Sequence, residues 1–242
     1  MRPPTVRQIA DALAPDLDRA RYHREGDPAG VWLDSPRPVR RLGLALEAGR
    51  APYPWAETVD AVLLHRPFGL WPARLPDGLG VLAVHRVLDD RFALGPNGRA
   101  AEALGAAADA EPLFRDGRDV GRVGRWAPVP LAEAERRVRS EWGGTEAAVG
   151  EGPREVGAVA FVGAMTAGLV EAAAERGVGL YVTGQLRKPG VAAVERHGVR
   201  VLAVGQDRSE AWGLRQIGAL VRAAFPAVET VEVGLPRLGR SA

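Results

Sequence analysis

Four histidines, thirty acidic residues and no cysteine bound the chemistry open to this chain. Two of the histidines stand directly after apolar runs: His65 follows Val59 to Leu64, and His85 follows Gly80 to Val84. Two polar stretches follow other such runs. Thr183-Gly184-Gln185 comes after Leu180 to Val182, and Gly205 to Glu210 comes after Val201 to Val204. Ligand sites of α/β sheets lie at the carboxyl ends of parallel strands. His65, His85, Asp89 and Glu210 are therefore the residues to watch. Imidazole and carboxylate groups converging at strand ends suit zinc, iron, manganese or nickel. His23 and His197 follow no strand and read as surface residues.

Each of these signals also has a plainer reading. His65, followed by Arg66-Pro67, fits an ordinary loop, and Asp89-Asp90 fits the start of a turn. Glu210 reads as lying in the first turn of a helix, where the macrodipole favours a carboxylate whatever its function. Ser209 or Asp207 could cap that helix. Other chemistries are closed. Without cysteine there is no disulfide, thiolate nucleophile, Cys-ligated zinc or iron–sulfur cluster. Gly163 to Gly168 has the glycine spacing of a phosphate loop but lacks the following Lys-Ser/Thr, so it is not one. That turn could still bring backbone close to a ligand. No nucleophile elbow is present.

The elements that would position these residues read as α/β. Thr5 and Gln8 sit at capping-box spacing before a helix ending near Leu13. Leu42 to Leu46, Val59 to Leu64 and Gly80 to Val84 are continuous apolar runs, as buried strands of largely parallel sheets require. Asn97 to Leu104 reads as helix, residues 105–128 as an irregular Gly- and Arg-rich passage, and Pro130 to Trp142 as an amphipathic helix. Beyond them, strands at 156–162, 178–182, 199–204 and 228–233 alternate with helices at 166–176, 191–197 and 210–225, the pattern of βαβ units. We expect two α/β lobes with mainly parallel sheets, residues 1–128 carrying His65 and Asp89 and residues 129–242 carrying Glu210. Basic residues number 32 against 30 acidic, both spread along the chain, so no basic face for nucleic acid is expected. No apolar stretch is long enough for a membrane span and the first fifteen residues lack a signal-peptide core, so a cytoplasmic protein is expected.

In order and placement these pieces resemble the Nif-three-like family, the GTP cyclohydrolase I type 2 homologues. Asp60-Ala-Val-Leu-Leu-His65-Arg66-Pro67 stands where that family has a strand ending in His-His-Pro. His85-Arg-Val-Leu-Asp89 matches its His-Thr-x-x-Asp, and Gly121-Arg122-Val123-Gly124 its Gly-Arg-Val/Ile-Gly. Val182-Thr183-Gly184-Gln185 stands at its Ile-Thr-Gly-Glu, and Gly205-Gln206-Asp207-Arg208-Ser209-Glu210 at its Gly-His-x-x-x-Glu. The resemblance implies a cytosolic α/β protein, a toroidal homohexamer and a dinuclear metal centre. Trp71 and Trp126 are candidates for the contacts between subunits.

Carried over residue by residue, the implied metal ligands His65, Asp89 and Glu210 survive, whereas Arg66 and Gln206 replace two histidines. Gln185 and Pro189 replace a nearby Glu and His. On the family assignment each of the two metal positions has lost an imidazole. Arginine is never deprotonated in proteins, so Arg66 cannot be a ligand. Gln206 offers only a neutral carbonyl oxygen. Two expectations follow. The chain is either a non-catalytic or strongly diverged member, with Arg66 paired to Asp89 or Glu210 in place of a lost cation. Or it is a metal-dependent hydrolase of cyclohydrolase type. That enzyme would use one divalent ion (zinc, iron or manganese) on His65, Asp89 and Glu210, with His85 as general base or as a partner that orients a ligand. Either way the Asp89 and Glu210 carboxylates should lie within about 10 Å of each other, since a shared ion needs bonds of about 2 Å.

Overall fold

The computed structural model describes residues 2–236, and of 108–111 the backbone alone. Met1 and the end of the expected second segment, residues 237–242, lie outside the described residues. The chain runs through α1 (Val6–Leu13), α2 (Arg19–Arg24), β1 (Ala29–Leu33), β2 (Arg41–Glu47), β3 (Ala61–Arg66) and β4 (Gly80–Val84). It continues through α3 (His85–Arg91), α4 (Arg99–Ala103), β5 (Ala107–Arg115), β6 (Arg118–Pro130), α5 (Leu131–Trp142), β7 (Ala147–Val149) and β8 (Glu155–Val162). The last elements are α6 (Ala167–Ala174), β9 (Leu180–Thr183), α7 (Lys188–His197), β10 (Arg200–Ala203), α8 (Gln206–Ala224) and β11 (Glu229–Gly234). No helix among the described residues is long and apolar enough to cross a membrane.

These elements form two compact units, Met1–Asp89 with Glu210–Pro236, and Asp90–Ser209. The division differs from the expected boundary at 128/129, which falls inside β6. The reason is long-range pairing: β11, near the end of the described chain, adds in parallel to β2. Local periodicity carries no information about such a return.

In the first unit the strand order is β1-β4-β3-β2-β11. β4, β3, β2 and β11 are mutually parallel, and β1 is antiparallel at the edge. β1 lies inside the stretch 25–38 that composition marks as turn-rich. The central strands are buried along almost their whole length, which explains their unbroken apolar runs. Alternation divides their side chains. Ala45, Val62, Leu64 and Val81 join Tyr53, Trp55 and Val59 in one apolar layer. Leu44 faces α8, where Gly218 leaves room; a Cβ there would stand 2.9 Å from Leu44 Cδ1. Leu63 and His65 emerge on that α8 side, because they alternate with Val62 and Leu64. On β1 and β4 packs α1, which begins with the expected capping box of Thr5 and Gln8.

The second unit has the strand order β5-β6-β8-β9-β10-β7. β8, β9 and β10 are parallel, while β5, β6 and β7 pair antiparallel around them. The parallel character expected of both sheets is thus confined here to the centre. Its core packs Ala158, Ala160, Tyr181 and Val201 against Leu169, Val170 and Ala173 of α6 and Ala193 and Val194 of α7.

Residues 105–128, expected to be irregular, form the long β5–β6 hairpin instead. Asp116 and Gly117 both take positive φ (52° and 72°) between the paired Arg115 and Arg118, the two-residue turn that suits strand twist. The Gly121-Arg122-Val123-Gly124 signature belongs to this hairpin and serves packing. A Cβ on Gly121 would stand 2.8 Å from the Phe161 carbonyl oxygen, and one on Gly124 2.9 Å from Ala101 Cβ.

Candidate functional site

Three different local structures bring the site side chains together within the first unit. His65 is the penultimate residue of β3 and is fully buried, turned toward α8 by strand alternation. Asp89 sits one helical turn into α3, which begins directly at the carboxyl end of β4. Glu210 is only 1 % exposed and lies on α8. That helix begins at Gln206, not Glu210, so Glu210 lies beyond the first turn. The macrodipole reading of this carboxylate therefore loses its basis.

The three residues each offer a ligand atom, and these atoms lie within 4.8 Å of one another. The expected convergence of Asp89 and Glu210 is met, and this His/Asp/Glu group could hold a metal ion. His65 is gripped from both sides. Its Nδ1 lies 3.1 Å from Glu210 Oε2, a hydrogen bond. Its Nε2 lies 3.5 Å from Asp89 Oδ1, which makes an ion pair but no hydrogen bond, so both atoms are buried without a hydrogen-bonding partner. Burial opposes a charge on the ring, but the two carboxylates together outweigh it and push the His65 pKa up to about 9.

Arg66, the last residue of β3, supplies the second cation. Its Nη1 donates to Glu210 Oε1 at 3.0 Å, and its Nη2 stands 3.0 Å from Oε2. Its Nε donates to Glu47 Oε1 at 2.9 Å, across the β2–β3 register that sets Glu47 opposite Arg66. The Arg66 side chain is 31 % exposed. Burial works against its charge, yet Glu210 and Glu47 hold its pKa above the ordinary arginine value. Both Glu210 oxygens thus face Arg66, and one also faces His65. Two carboxylates, one imidazolium and one guanidinium balance to zero, leaving Glu47 on the exposed rim.

His85 stands apart from the carboxylates of this group. It opens α3, and its Nδ1 lies 2.7 Å from Asp27 Oδ1, whose other oxygen accepts the Arg86 backbone N–H at 3.0 Å. An ionised Asp27 keeps the proton on Nδ1 and leaves Nε2 as the basic nitrogen. The His85 ring lies 5.7 Å from that of His65, centroid to centroid, and 5.0 Å from Phe68. Sequence reasoning missed Asp27; a lone Asp before Pro28 in a turn-rich stretch carries no signal, and only its burial reveals it. His23 and His197 are exposed, as expected. Gln185, Pro189 and Gln206 line a cavity of the second unit, and Thr183 is buried at the end of β9.

The chain is thus a two-unit α/β protein whose strand-end His/Asp/Glu group could take a divalent ion. Residues 4–236 match the Duf34/NIF3 (NGG1p interacting factor 3) family, and the chain belongs to it. It is 25% identical over 238 residues to a Pseudomonas aeruginosa protein named GTP cyclohydrolase 1 type 2 homolog, covering 91% of this chain and 93% of that one. In fold it is similar to protein ybgI, described as of unknown function, with TM-score 0.72, 18% identity and coverage of 98% and 100%. It is also similar to TTHA1606 from Thermus thermophilus, with TM-score 0.69, 20% identity and coverage of 97% and 99%.

The raised His65 pKa has a sign that can be measured. Because the folded value, about 9, lies above the ordinary 6.5, the charged ring stabilises the fold fully below pH 6.5 and ceases to as pH climbs through 9. Urea unfolding should show the wild type losing up to about 3 kcal/mol between about pH 6 and pH 10, and His65→Gln losing far less. An equal loss in both proteins would eliminate a charged His65. Arg66→Ala leaves Glu210 with one cation instead of two and should destabilise by roughly 2–4 kcal/mol at neutral pH, somewhat below a fully buried pair. A change under about 0.5 kcal/mol would mean the pair is of the inconsequential surface kind.

Proposed function

We propose that this chain is a diverged, non-catalytic member of its family, in which Arg66 occupies the electrostatic role of a metal ion. The observation that carries this reading is the approach of the Arg66 guanidinium to both oxygens of Glu210 at 3.0 Å. A carboxylate so engaged, and hydrogen-bonded to His65 besides, has little left to offer a cation. A dinuclear centre does not fit these residues. The family's second histidine of the pair is Arg66, which cannot ligate, and its later histidine is Gln206.

One observation favours a second reading. His65 Nε2 and Asp89 Oδ1 are buried, face each other and lack hydrogen-bonding partners, so a single ion fits between them. Zinc, iron or manganese would be held by His65, Asp89 and Glu210, and when bound would supply a water acidic enough to ionise near neutral pH. His85, fixed at Nδ1 by Asp27, would take a proton at Nε2. This is the hydrolase of cyclohydrolase type that the relative's name suggests. In either reading we take the protein to be cytoplasmic and a homohexamer, binding neither membrane nor nucleic acid. Trp71 is exposed and can supply subunit contacts. Trp126 is already committed, donating its indole N–H to the Val156 carbonyl beneath the Arg137 guanidinium.

Elemental analysis of untagged protein purified without chelator separates the readings. With Arg66 as the cation, the wild type should carry well under one ion per chain, and zinc or manganese should leave its thermal midpoint unchanged. Arg66→His, which removes the guanidinium and adds an imidazole, should then bind a divalent ion and be stabilised by it. Stoichiometric metal in the wild type, with strong stabilisation on adding it back, would overturn this reading and favour the single-ion one instead. Light scattering at micromolar concentration should give the mass of a hexamer, and a monomer peak would defeat the assembly.

A further inference from the structure

Two backbone devices of the first unit hold an aromatic ring out to solvent at the same place. On β1, Val31 and Leu33 pair with the consecutive residues Leu82 and Val81, which makes Trp32 the extra residue of a β-bulge. A bulge re-aims the side chain it carries, and Trp32 is 43 % exposed. After β3, the Leu70 N–H bonds to the Pro67 carbonyl at 3.1 Å and Gly69 takes φ 82°, so Phe68 stands at the tip of a tight turn. Gly, Pro, Asn, Asp and Ser dominate such tips, yet here a phenyl ring is left 56 % exposed. The Trp32 and Phe68 rings meet nearly at right angles, with centroids 6.2 Å apart and 86° between their planes.

Phe68 meets His85 in the same way, at 5.0 Å and 88°. The row ends on the buried His65, whose ring lies 5.7 Å from that of His85. His85 gives the row its polar atom. Its Nδ1 is taken by Asp27, while its Nε2 has no partner among the described residues and is not closed off from solvent.

The size of the exposed surface selects the occupant. Trp32 and Phe68 together leave on the order of 200 Å² of ring in water. A stable protein partner buries about 800 Å² on each side, whereas a single flat ring system covers an area of the smaller order. Trp71 is exposed too, but it makes no ring contact with either residue, and its own face carries the Arg74 guanidinium 5.0 Å from the ring centroid. Perpendicular rings form corners in which a third flat ring lies against the face of one with its edge toward the next. An edge that reaches His85 meets an acceptor, so it must bring a donor.

We propose that Trp32, Phe68 and His85 form a lip that takes the planar nitrogen heterocycle of a small-molecule ligand. The heterocycle stacks on the exposed rings, and an N–H on its edge donates to His85 Nε2. The lip contains neither Arg66 nor any of the three candidate metal ligands, so it goes beyond the choice between a guanidinium and an ion and is common to both readings. Asp89, one turn along α3 from His85, is the one member of the His/Asp/Glu group open to solvent and the group such a ligand meets next.

The test is saturation-transfer difference NMR on the full chain, treated with chelator so that the result does not depend on which cation the site carries. The probes are adenosine, guanosine, cytidine and uridine, with ribose as the control without a ring and anisole as the flat control without an edge donor. Saturable binding of at least one nucleoside through its base protons is expected, with none of ribose and anisole at least tenfold weaker. Trp32→Ala and Phe68→Ala should each weaken the nucleoside at least about fivefold, as loss of a stacked ring does. Both should keep the wild-type thermal midpoint, because the side chains removed are exposed. Trp71→Ala should leave binding unchanged. No saturable binding, anisole binding as tightly, undiminished affinity in the two lip variants, or an equal effect of Trp71→Ala would overturn the proposal. So would a fall in mass by light scattering in Trp32→Ala or Phe68→Ala, since the rings would then belong to a contact between copies of the chain.

Discussion

Glu210 is a carboxylate placed almost wholly out of water on a helix that covers the first sheet. Ionised there without compensation, it would cost several kcal/mol, or take up a proton and lose its charge. The chain compensates with two consecutive residues of one strand. His65, turned inward by alternation, donates from one side, and Arg66, at the last position of β3, brings a guanidinium to both oxygens. Most of what distinguishes the site follows from this constraint. It raises the His65 pKa, gives Asp89 a charged partner on the far side of the ring, and makes Glu47 the outer member of the network.

The same constraint explains why the first unit is assembled from two distant pieces of chain. Glu210 and β11 come from the C-terminal region, whereas His65, Arg66 and Asp89 come from the first ninety residues. The α8 face of the sheet is apolar up to the strand ends, with Leu44 against Gly218, and polar only where the strands stop. Chemistry is thus confined to the carboxyl edge, as the topology of parallel strands dictates. The second unit obeys the same rule. Its polar cavity lies where β8 and β9 end and three helices begin, while its apolar layer lies beneath them.

Arginine in place of a ligand histidine is not a neutral change. An imidazole can deprotonate and accept a metal; a guanidinium cannot, and its fixed charge excludes a second cation from the same few ångströms. The buried and unpaired atoms of His65 and Asp89 nonetheless leave one position open to an ion, with a Glu210 oxygen in reach. Competition between a proton on His65 and a divalent ion at that position is the physical question on which the two functional readings divide. His85, held by Asp27 with its ring 5.7 Å from that of His65, lends itself to chemistry only if the ion wins.

Local pattern was enough to locate the regular elements and the polar residues behind them. Continuous apolar runs located β2, β3, β4 and the parallel strands of the second unit, the Thr5/Gln8 spacing located the first helix, and polar residues behind strands singled out His65, Asp89 and Glu210. The β5–β6 hairpin stayed hidden behind its Gly- and Arg-rich strands, although Asp116-Gly117 is a turn pair. What depends on distant partners was left to packing. It set β11 beside β2 and divided the chain at Asp89 and Glu210 in place of residue 128. It buried Asp27 beneath His85, and it chose Glu210 over Asp89 as the partner of Arg66. A residue's type and spacing state what it can bind. Which charge it meets 144 positions further along the chain is settled by packing, since Coulomb and hydrogen-bond energies depend on distance in space alone.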